Sequence, residues 1–278
     1  WGGILGALTM SFEETDEQEI VEMCIKGFSL LMHLASHCYV EDALATIVDS
    51  FAKFTRLRMR TEVSTPLKTN NFLCTSALIQ CAINDIKYLK GAWSIVLAEI
   101  SALERMKDNN NVVCDMKVVE PLFTKTGDLD RESIMDFIQA MIETSKNELS
   151  EDPPRIFTLL KFSDVAFYNM SRPMYIWNEI WTYIGDFLSL EGCSSNKTIN
   201  TTAVDIIRQL SSNFLPLKEM TQFHFQEHFL APFRSIYEAQ TRQYIKEQVL
   251  SCVEILCSRY ATVLHSGWNV FLRILNFA

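Results

Sequence analysis

The sequence predicts an all-α fold built from repeated pairs of helices. A tryptophan followed by apolar residues three, four and seven positions later occurs four times, and these offsets place all four side chains on one face of an α-helix. The four patterns begin at Trp1, Trp93, Trp177 and Trp268, so they start 92, 84 and 91 residues apart. Half of that distance is the length of a two-helix repeat. The motif and its period together predict a right-handed α-solenoid of roughly six to seven helical pairs of the HEAT or armadillo kind.

Weaker versions of the same stripe fill the gaps between the tryptophans. They begin at Ile47, Ile134 and Phe229, so that successive starts along the chain are 39 to 52 residues apart. Any amphipathic helix can match a stripe that is merely apolar. The prediction of a repeat therefore depends on the tryptophans and on the spacing.

Capping residues and helix breakers predict the individual elements. Beyond the tryptophan helices, the predicted helices span about 16–37, 41–55, 155–170, 195–214, 217–227, 229–239 and 242–264, and the helix at Trp177 reaches about Leu190. The second helix is predicted to bury one wide stripe, namely Ile20, Met23, Cys24, Gly27, Leu30, Leu31 and Leu34. Asp152 is predicted to cap the helix that begins at Arg155, with proline at its first position. That helix is apolar on nearly every side, which predicts burial of most of its surface.

Two stretches are predicted to be irregular. Residues 61–71 read as an ordinary loop, and residues 107–128 read as a longer insertion with one proline, one glycine and three consecutive asparagines. The repeat period continues across the longer one. We therefore predict a single helical-repeat domain over residues 1–278, with a soft division at 107–128.

Composition restricts the function. A net charge of −9 argues against nucleic-acid binding, which needs a basic face, and against unspecific adhesion to acidic lipid. No window approaches the length of an apolar membrane span. The eight cysteines form no Cys-x-x-Cys pair and lie mostly in apolar stripes, which predicts free thiols in a reducing compartment. The initial tryptophan suggests a chain that continues into a longer protein.

Residues 153–278 carry a run of motifs that resembles one known family. The motifs are Pro154-Arg155-Ile156-Phe157, Tyr168-Asn169-Met170, Arg172, Trp177-x-x-Ile180-Trp181, Gly192-Cys193-Ser194, Ala203-x-Asp205-x-x-Arg208-Gln209, Phe223-x-Phe225-Gln226 and Ser266-Gly267-Trp268. They resemble the first homology-downstream region of large Arf guanine-nucleotide exchange factors of the Golgi, brefeldin-A-inhibited (Sec-seven/BIG) class. Residues 1–107 are similar in kind but looser. One position departs from the family, since Pro173 follows Arg172 where a second basic residue is usual.

The resemblance implies a function without catalysis. Such regions are HEAT-like, lie C-terminal to the exchange domain and regulate it, and the glutamate-finger stretch Phe-Arg-Leu-Pro-Gly-Glu of that domain does not occur in this sequence. The implied partners are GTP-loaded Arf-family GTPase and the exchange factor's own other domains. The implied location is cytoplasmic, with peripheral recruitment to Golgi or trans-Golgi membranes.

Six residues are candidates for binding a partner: Arg56, Arg58, Arg60, Arg172, Arg208 and Gln209. The first three form a basic cluster at the end of a helix, where they could instead complement the helix dipole or stay solvated. The other three are polar residues within very apolar helices. There they could form ladders between repeats or a ridge that faces a partner.

No catalytic residue, cofactor or metal site is predicted. His33 and His37 lie four apart on a helix, as do His224 and His228, but neither pair is His-Glu-x-x-His. Ordinary helix-packing histidines are the simpler interpretation. Two other functions stay open: a membrane-lipid-binding module of the same exchange factor that uses the basic cluster, and a generic HEAT-repeat adaptor unrelated to Arf.

Overall fold

A computed structural model describes residues 1–58, 67–107, 116–217 and 224–277. These residues form thirteen α-helices and no β-strand, which confirms the all-α class. The helices are α1 Gly2–Glu14, α2 Gln18–His37, α3 Glu41–Thr55, α4 Thr69–Asn84, α5 Trp93–Lys107, α6 Glu120–Thr124, α7 Arg131–Leu149, α8 Phe157–Asn169, α9 Met174–Gly192, α10 Lys197–Phe214, α11 Phe225–Ala239, α12 Gln243–Tyr260 and α13 Gly267–Phe277.

The chain divides into two compact units, Trp1–Asn147 and Glu148–Ala278. The boundary lies within α7, twenty residues after the stretch where the sequence suggested a soft division. Each unit has its own core of apolar side chains. Phe28, Phe51 and Trp93 are fully buried in the first unit, and Trp177 and Phe229 are fully buried in the second. The prediction of one repeat domain over the whole chain stays a prediction.

Within each unit, hydrogen bonds join positions that are about one predicted repeat apart. In the first unit, Thr55 donates to Glu99, 44 residues later. In the second unit, the Gln240 amide donates to the carbonyl of Gly192, which lies 48 residues earlier. Further bonds of this kind have separations of 37 to 49 residues, and they involve the pairs Lys90–Glu41, Ser133–Lys87, Tyr244–Asn200, Gln248–Thr201, Tyr260–Ser212 and Gln226–Val263. Helices one repeat apart thus pack side by side, as a repeat architecture requires. Right-handed solenoid geometry and the number of pairs stay predictions.

The tryptophan stripes are right at two of their four positions. Trp93 and Trp177 are buried together with the three apolar residues that follow each of them in the pattern. In α1, by contrast, Leu5 is buried as predicted, but Trp1 and Ile4 are exposed, and Phe12, which is not part of the stripe, is buried.

In α13 the buried row is Gly267, Val270, Phe271 and Ile274, one position earlier than predicted. Leu272 and Leu275 are exposed. The reason is the close approach at Gly267, where a Cβ atom would lie 2.9 Å from Leu230 of α11. This contact sets the rotation of α13 about its axis.

The wide stripes predicted for α2 and for the helix after Arg155 are only half right. In α2, Cys24 and Leu31 are buried, whereas Met23, Leu30 and Leu34 are exposed. In α8, the side chains of Leu160, Phe167 and Tyr168 are exposed although most of that helix is apolar. A continuous apolar sequence does not reveal which side lacks a neighbouring helix.

The predicted cap at Asp152 is wrong. The helix begins at Phe157, and its first turn is capped by the buried carboxylate of Glu148 near the end of α7. Glu148 accepts hydrogen bonds from the Thr158 N–H and hydroxyl, each at 2.8 Å. Glu148 thus satisfies a free N–H group of the helix start, and its negative charge is favourable at the positive end of the helix dipole.

Two loop and helix boundaries also differ from the predictions. Residues 116–128 are not irregular, because they form α6 between two 3₁₀ turns and bury Leu122 and Phe123. The helix predicted at 229–239 is α11, which begins earlier, at Phe225, and contains Pro232. Most of the other helix predicted there, at 217–227, is not tested, because residues 218–223 lie outside the described residues.

Candidate partner-binding site

The basic cluster lies where α3 ends. Arg56 terminates the helix in the left-handed conformation, with φ 56° and ψ 14°, and its side chain is exposed. Lys53, in the last turn, forms an ion pair with Asp49 at 2.9 Å, and this pair lowers the pKa of the Asp49 carboxyl. Arg60 lies outside the described residues. Within the described part of the chain, the Arg56 side chain is the member of this cluster that no acidic group holds.

Arg58 has a structural role. Its guanidinium donates to the carboxylate of Glu99 in α5 and, at 3.3 Å, to Asp49. Glu99 is almost fully buried and also accepts a hydrogen bond from the Thr55 hydroxyl at 2.5 Å. Burial raises the pKa of Glu99, and the hydrogen bond from Thr55 and the charge of Arg58 oppose that rise. Arg58 therefore neutralises a buried carboxylate, which costs several kcal/mol when it lacks a partner.

A pocket with a volume of about 470 Å³ opens beside the basic cluster. Its lining includes the aromatic rings of Phe12 and Phe54 and the side chain of Arg56. Lys68, also in the lining, forms an ion pair with Asp16 at 2.6 Å. The charge of Lys68 is therefore already compensated by another residue of the lining.

Arg172 closes the turn between α8 and α9. Its Nε donates to the Asn169 side-chain oxygen at 2.6 Å, and the buried Asn169 amide donates to the Val165 carbonyl at 2.8 Å. The turn is also held by the Arg172 N–H, which donates to the Asn169 carbonyl at 3.1 Å. The Tyr168-Asn169-Met170 and Arg172 motifs are thus hydrogen-bonded to each other within this turn.

Arg208 and Gln209 share one acidic partner on α10. Asp205 accepts from Arg208 at 2.6 and 2.9 Å and from the Gln209 amide at 2.7 Å. Gln209 is exposed, and Arg208 and Asp205 are each partly exposed. We name these three residues the α10 ridge. Arg208 and Gln209 do not form the ladder between repeats that was predicted for them, because both donate to Asp205 of their own helix.

The α10 ridge borders α12, which runs beside α10 in the same direction. Gln248 donates to the Thr201 carbonyl at 3.1 Å, and the Tyr260 hydroxyl donates to the Ser212 carbonyl at 2.9 Å. Between these two contacts lies Cys252, where burial raises the pKa of the thiol to about 11 and the charge of Arg208 opposes that rise. The ridge is therefore held on a well-packed pair of helices, with Gln209 on its open side.

Two further family motifs position helices. Gln226 is buried in α11, where its side-chain oxygen accepts from the N–H groups of His265 and Gly267 at 2.8 and 3.4 Å and its amide donates to Val263. The Ser266 hydroxyl accepts from the Glu227 N–H at 3.0 Å. The Phe223-x-Phe225-Gln226 and Ser266-Gly267-Trp268 motifs thus lock α11 to the start of α13.

The Gly192-Cys193-Ser194 motif at the end of α9 likewise holds a neighbouring helix, α11. A Cβ atom on Gly192 would lie 2.3 Å from Ile236 of α11, and the carbonyl of Gly192 accepts from Gln240 at 2.8 Å. The Ser194 carbonyl accepts from Asn200 at 3.0 Å. Three of the motifs that carry the resemblance, those at Gly192, Phe223 and Ser266, are therefore explained by packing between helices.

Sequence reasoning missed the acidic partners of two singled-out groups. Glu99 holds Arg58 from 41 residues away, and Asp85 holds His33 at 2.8 Å from 52 residues away. The repeat period is the signal that could have found them, because residues about one period apart lie side by side.

None of the helices in the described ranges combines the length and the apolar character that a membrane span needs.

Comparison with known proteins identifies the relatives. Residues 213–278 match the family model described as Mon2/Sec7/BIG1-like, HDS. The whole chain is 25% identical to the ADP-ribosylation factor guanine nucleotide-exchange factor sec72 of Schizosaccharomyces pombe, of which it covers 18%. It is also 25% identical over its whole length to the Brefeldin A-inhibited guanine nucleotide-exchange protein 3 of Arabidopsis thaliana, covering 20% of it. Over 98% of its length it is 26% identical to the Brefeldin A-inhibited guanine nucleotide-exchange protein 1 of Homo sapiens, covering 18% of that protein.

An engineered protein of known crystal structure aligns with 98% of this chain and 96% of its own, at 13% identity and a TM-score of 0.32, which is too weak to support an argument. The chain spans about a fifth of the length of the curated relatives. It is similar over its whole length to large Arf guanine-nucleotide exchange factors of the Sec7/BIG class, and its residues 213–278 match the model of their homology-downstream region.

Proposed function

We propose that this chain is a non-catalytic regulatory and targeting module of a large Arf guanine-nucleotide exchange factor. It recognises GTP-loaded Arf-family GTPase and so helps to recruit or activate the exchange factor at Golgi membranes. The observation that carries the proposal is the similarity of the whole chain to Arf exchange factors, together with a family model for their homology-downstream region over residues 213–278. The fragment corresponds to a region of these proteins other than the exchange domain.

The packing of the family motifs supports recognition by a surface. Gly192, Gln226 and Gly267 hold helices together, so they provide a rigid scaffold and no open binding groups. Among the polar groups that such a scaffold presents are the α10 ridge in the second unit and Arg56 in the first. Rigid helices that carry exposed polar and arginine side chains suit the recognition of a folded protein partner.

The first experiment compares the two nucleotide states of Arf. The 278-residue chain is immobilised, and Arf loaded with a non-hydrolysable GTP analogue or with GDP is passed over it. We expect binding of the GTP form at least tenfold tighter than that of the GDP form. Equal binding of both forms, or none, would contradict the proposal.

Substitutions then test the surface. The R208E/Q209A double variant and the R56E variant are compared with R273E, which changes an exposed arginine on α13 that is not a candidate. We expect at least one of the first two to weaken GTP-Arf binding tenfold or more, with an unchanged circular dichroism spectrum. If R273E weakens binding as much, the loss reflects general charge and the α10 ridge and Arg56 are not the site.

The same 278-residue chain can be used to test the alternative function, a membrane-lipid-binding module. A membrane-lipid-binding module would carry the chain to the top of a flotation gradient on vesicles of acidic lipid without any GTPase, and neutralising Arg56 and Arg60 would abolish this. Arg58 is left intact because it neutralises Glu99 inside the fold. We expect no flotation in the absence of GTP-loaded Arf. An adaptor unrelated to Arf would bind neither vesicles nor Arf.

A further inference from the structure

One cluster in the first unit has the composition of a metal site. His33 and His37, near the end of α2, face Asp85 at the end of α4, and their potential ligand atoms all lie within 4.8 Å of one another. Among the described residues this is the one group of three or more His, Cys, Asp or Glu side chains so arranged. The two histidines come from successive turns of one helix, and the carboxylate reaches them from about one repeat further along the chain.

The carboxylate is buried and the imidazoles are open. The Asp85 side chain is 3% exposed, whereas the side chains of His33 and His37 are 58% and 43% exposed. A buried carboxylate needs compensating charge. The described residues give the Asp85 side chain one hydrogen-bond donor, the Nδ1 of His33 at 2.8 Å, with the Nδ1 of His37 at 3.7 Å.

The hydrogen bonds place the hydrogen of each neutral ring on Nδ1. The Nδ1 of His37 lies 3.0 Å from the carbonyl oxygen of His33, which can only accept, so this nitrogen carries the hydrogen. The Nδ1 of His33 likewise carries a hydrogen, because the Asp85 carboxylate that it faces accepts. Each neutral ring is therefore left with its lone pair on Nε2. Metal-binding histidines in proteins have this arrangement, since their other ring N–H donates to a carboxylate or a backbone carbonyl.

Packing restricts the rings further. The two imidazole centroids are 4.1 Å apart, and the ring of Tyr88 lies 4.5 Å from that of His37. Tyr39 contacts Tyr88 edge-on at 5.9 Å. Rings that are already held in place lose little freedom when they bind an ion.

We propose that His33, His37 and Asp85 bind a divalent transition-metal ion of the Zn²⁺ type. The two imidazoles are the ligands, and the Asp85 carboxylate supplies charge through its hydrogen bond to His33. Two imidazole nitrogens with a supporting carboxylate suit zinc, and they leave coordination positions open to solvent. The ion would join α2 to the end of α4. This proposal does not depend on the proposed function.

The test is zinc binding to the untagged 278-residue chain, measured by calorimetry and by the thermal midpoint of unfolding. We expect one zinc ion per chain, an increase in the midpoint on adding ZnCl₂, and loss of both in H33Q/H37Q. D85N should weaken binding by roughly 10- to 100-fold, the usual effect of removing a ligand's supporting carboxylate. Because Asp85 is buried, circular dichroism of D85N without metal establishes that this variant is folded.

Two control variants come from the same chain. H224Q/H228Q removes the other pair of histidines at the same spacing, and C38S removes the exposed thiol next to His37. Both should bind zinc like the parent chain. The proposal is overturned by absence of zinc binding in the parent, by undiminished binding in H33Q/H37Q, or by loss of binding in either control.

Discussion

The assignment of Arg58 to the fold can be tested by removing its side chain. Arg58→Ala leaves the buried carboxylate of Glu99 with the Thr55 hydroxyl but without its cation. Breaking a fully buried ion pair costs about 3 to 5 kcal/mol, and a single charge-assisted hydrogen bond contributes about 1.5 to 3. Arg58 is 38% exposed, so water replaces part of the interaction. We expect a loss of about 2 kcal/mol in the free energy of unfolding of the first unit.

The pH dependence of this loss has a defined sign. Burial raises the pKa of Glu99 in the folded state, and Arg58 opposes that rise. A carboxyl whose folded pKa exceeds its unfolded pKa destabilises the fold above the folded pKa, and that penalty disappears as the pH falls through it. Without Arg58 the pKa rises further. The destabilisation of R58A should therefore be largest at neutral pH and shrink as the solution is acidified.

The assay is urea and thermal unfolding followed by circular dichroism at 222 nm. About 2 kcal/mol corresponds to a decrease of roughly 4 to 8 °C in the thermal midpoint for a unit of this size. A double-mutant cycle with Glu99→Gln isolates the pair, and R58A should cost less than about 0.5 kcal/mol in the E99Q background. Arg56→Ala is the matched control, since Arg56 is exposed on the same turn, and it should be neutral within about 0.5 kcal/mol. If R58A costs as much with E99Q as without it, our reasoning is refuted.

Further predictions concern the contacts between repeats. Gly192→Ala should destabilise the second unit by about 1 to 3 kcal/mol in urea unfolding, because the new Cβ atom would overlap Ile236 in a closed core. Gly91→Ala has open space around it and should be neutral or stabilise the first unit by up to about 1 kcal/mol, and an equal loss in both would contradict the packing argument. Gln226→Ala should cost about 2 to 4 kcal/mol because it removes three hydrogen bonds at the start of α13, whereas Gln209→Ala on the exposed surface should change stability by less than about 0.5. A neutral Q226A would show that this side chain does not hold α13.

The sequence alone determined the helical class, two of the tryptophan stripes and a period that hydrogen bonds between helices reproduce. A helix depends on local spacing, so Trp93 and Trp177 with their following apolar residues could be recognised without any tertiary information. The same spacing was insufficient in α13, where the helix has two adjacent apolar rows. The close approach at Gly267 selected the row that is buried.

The tertiary structure decided the partners of the charged groups. The sequence left Arg58 either as a solvated charge at a helix end or as a contact for a partner, and the structure instead places it opposite Glu99, 41 residues away. His33 and His37 read as ordinary helix histidines until Asp85 was placed between them and the core. Both outcomes have one physical reason. A side chain's charge and type are local properties, but the group that compensates it comes from the neighbouring helix, and only packing brings the two together.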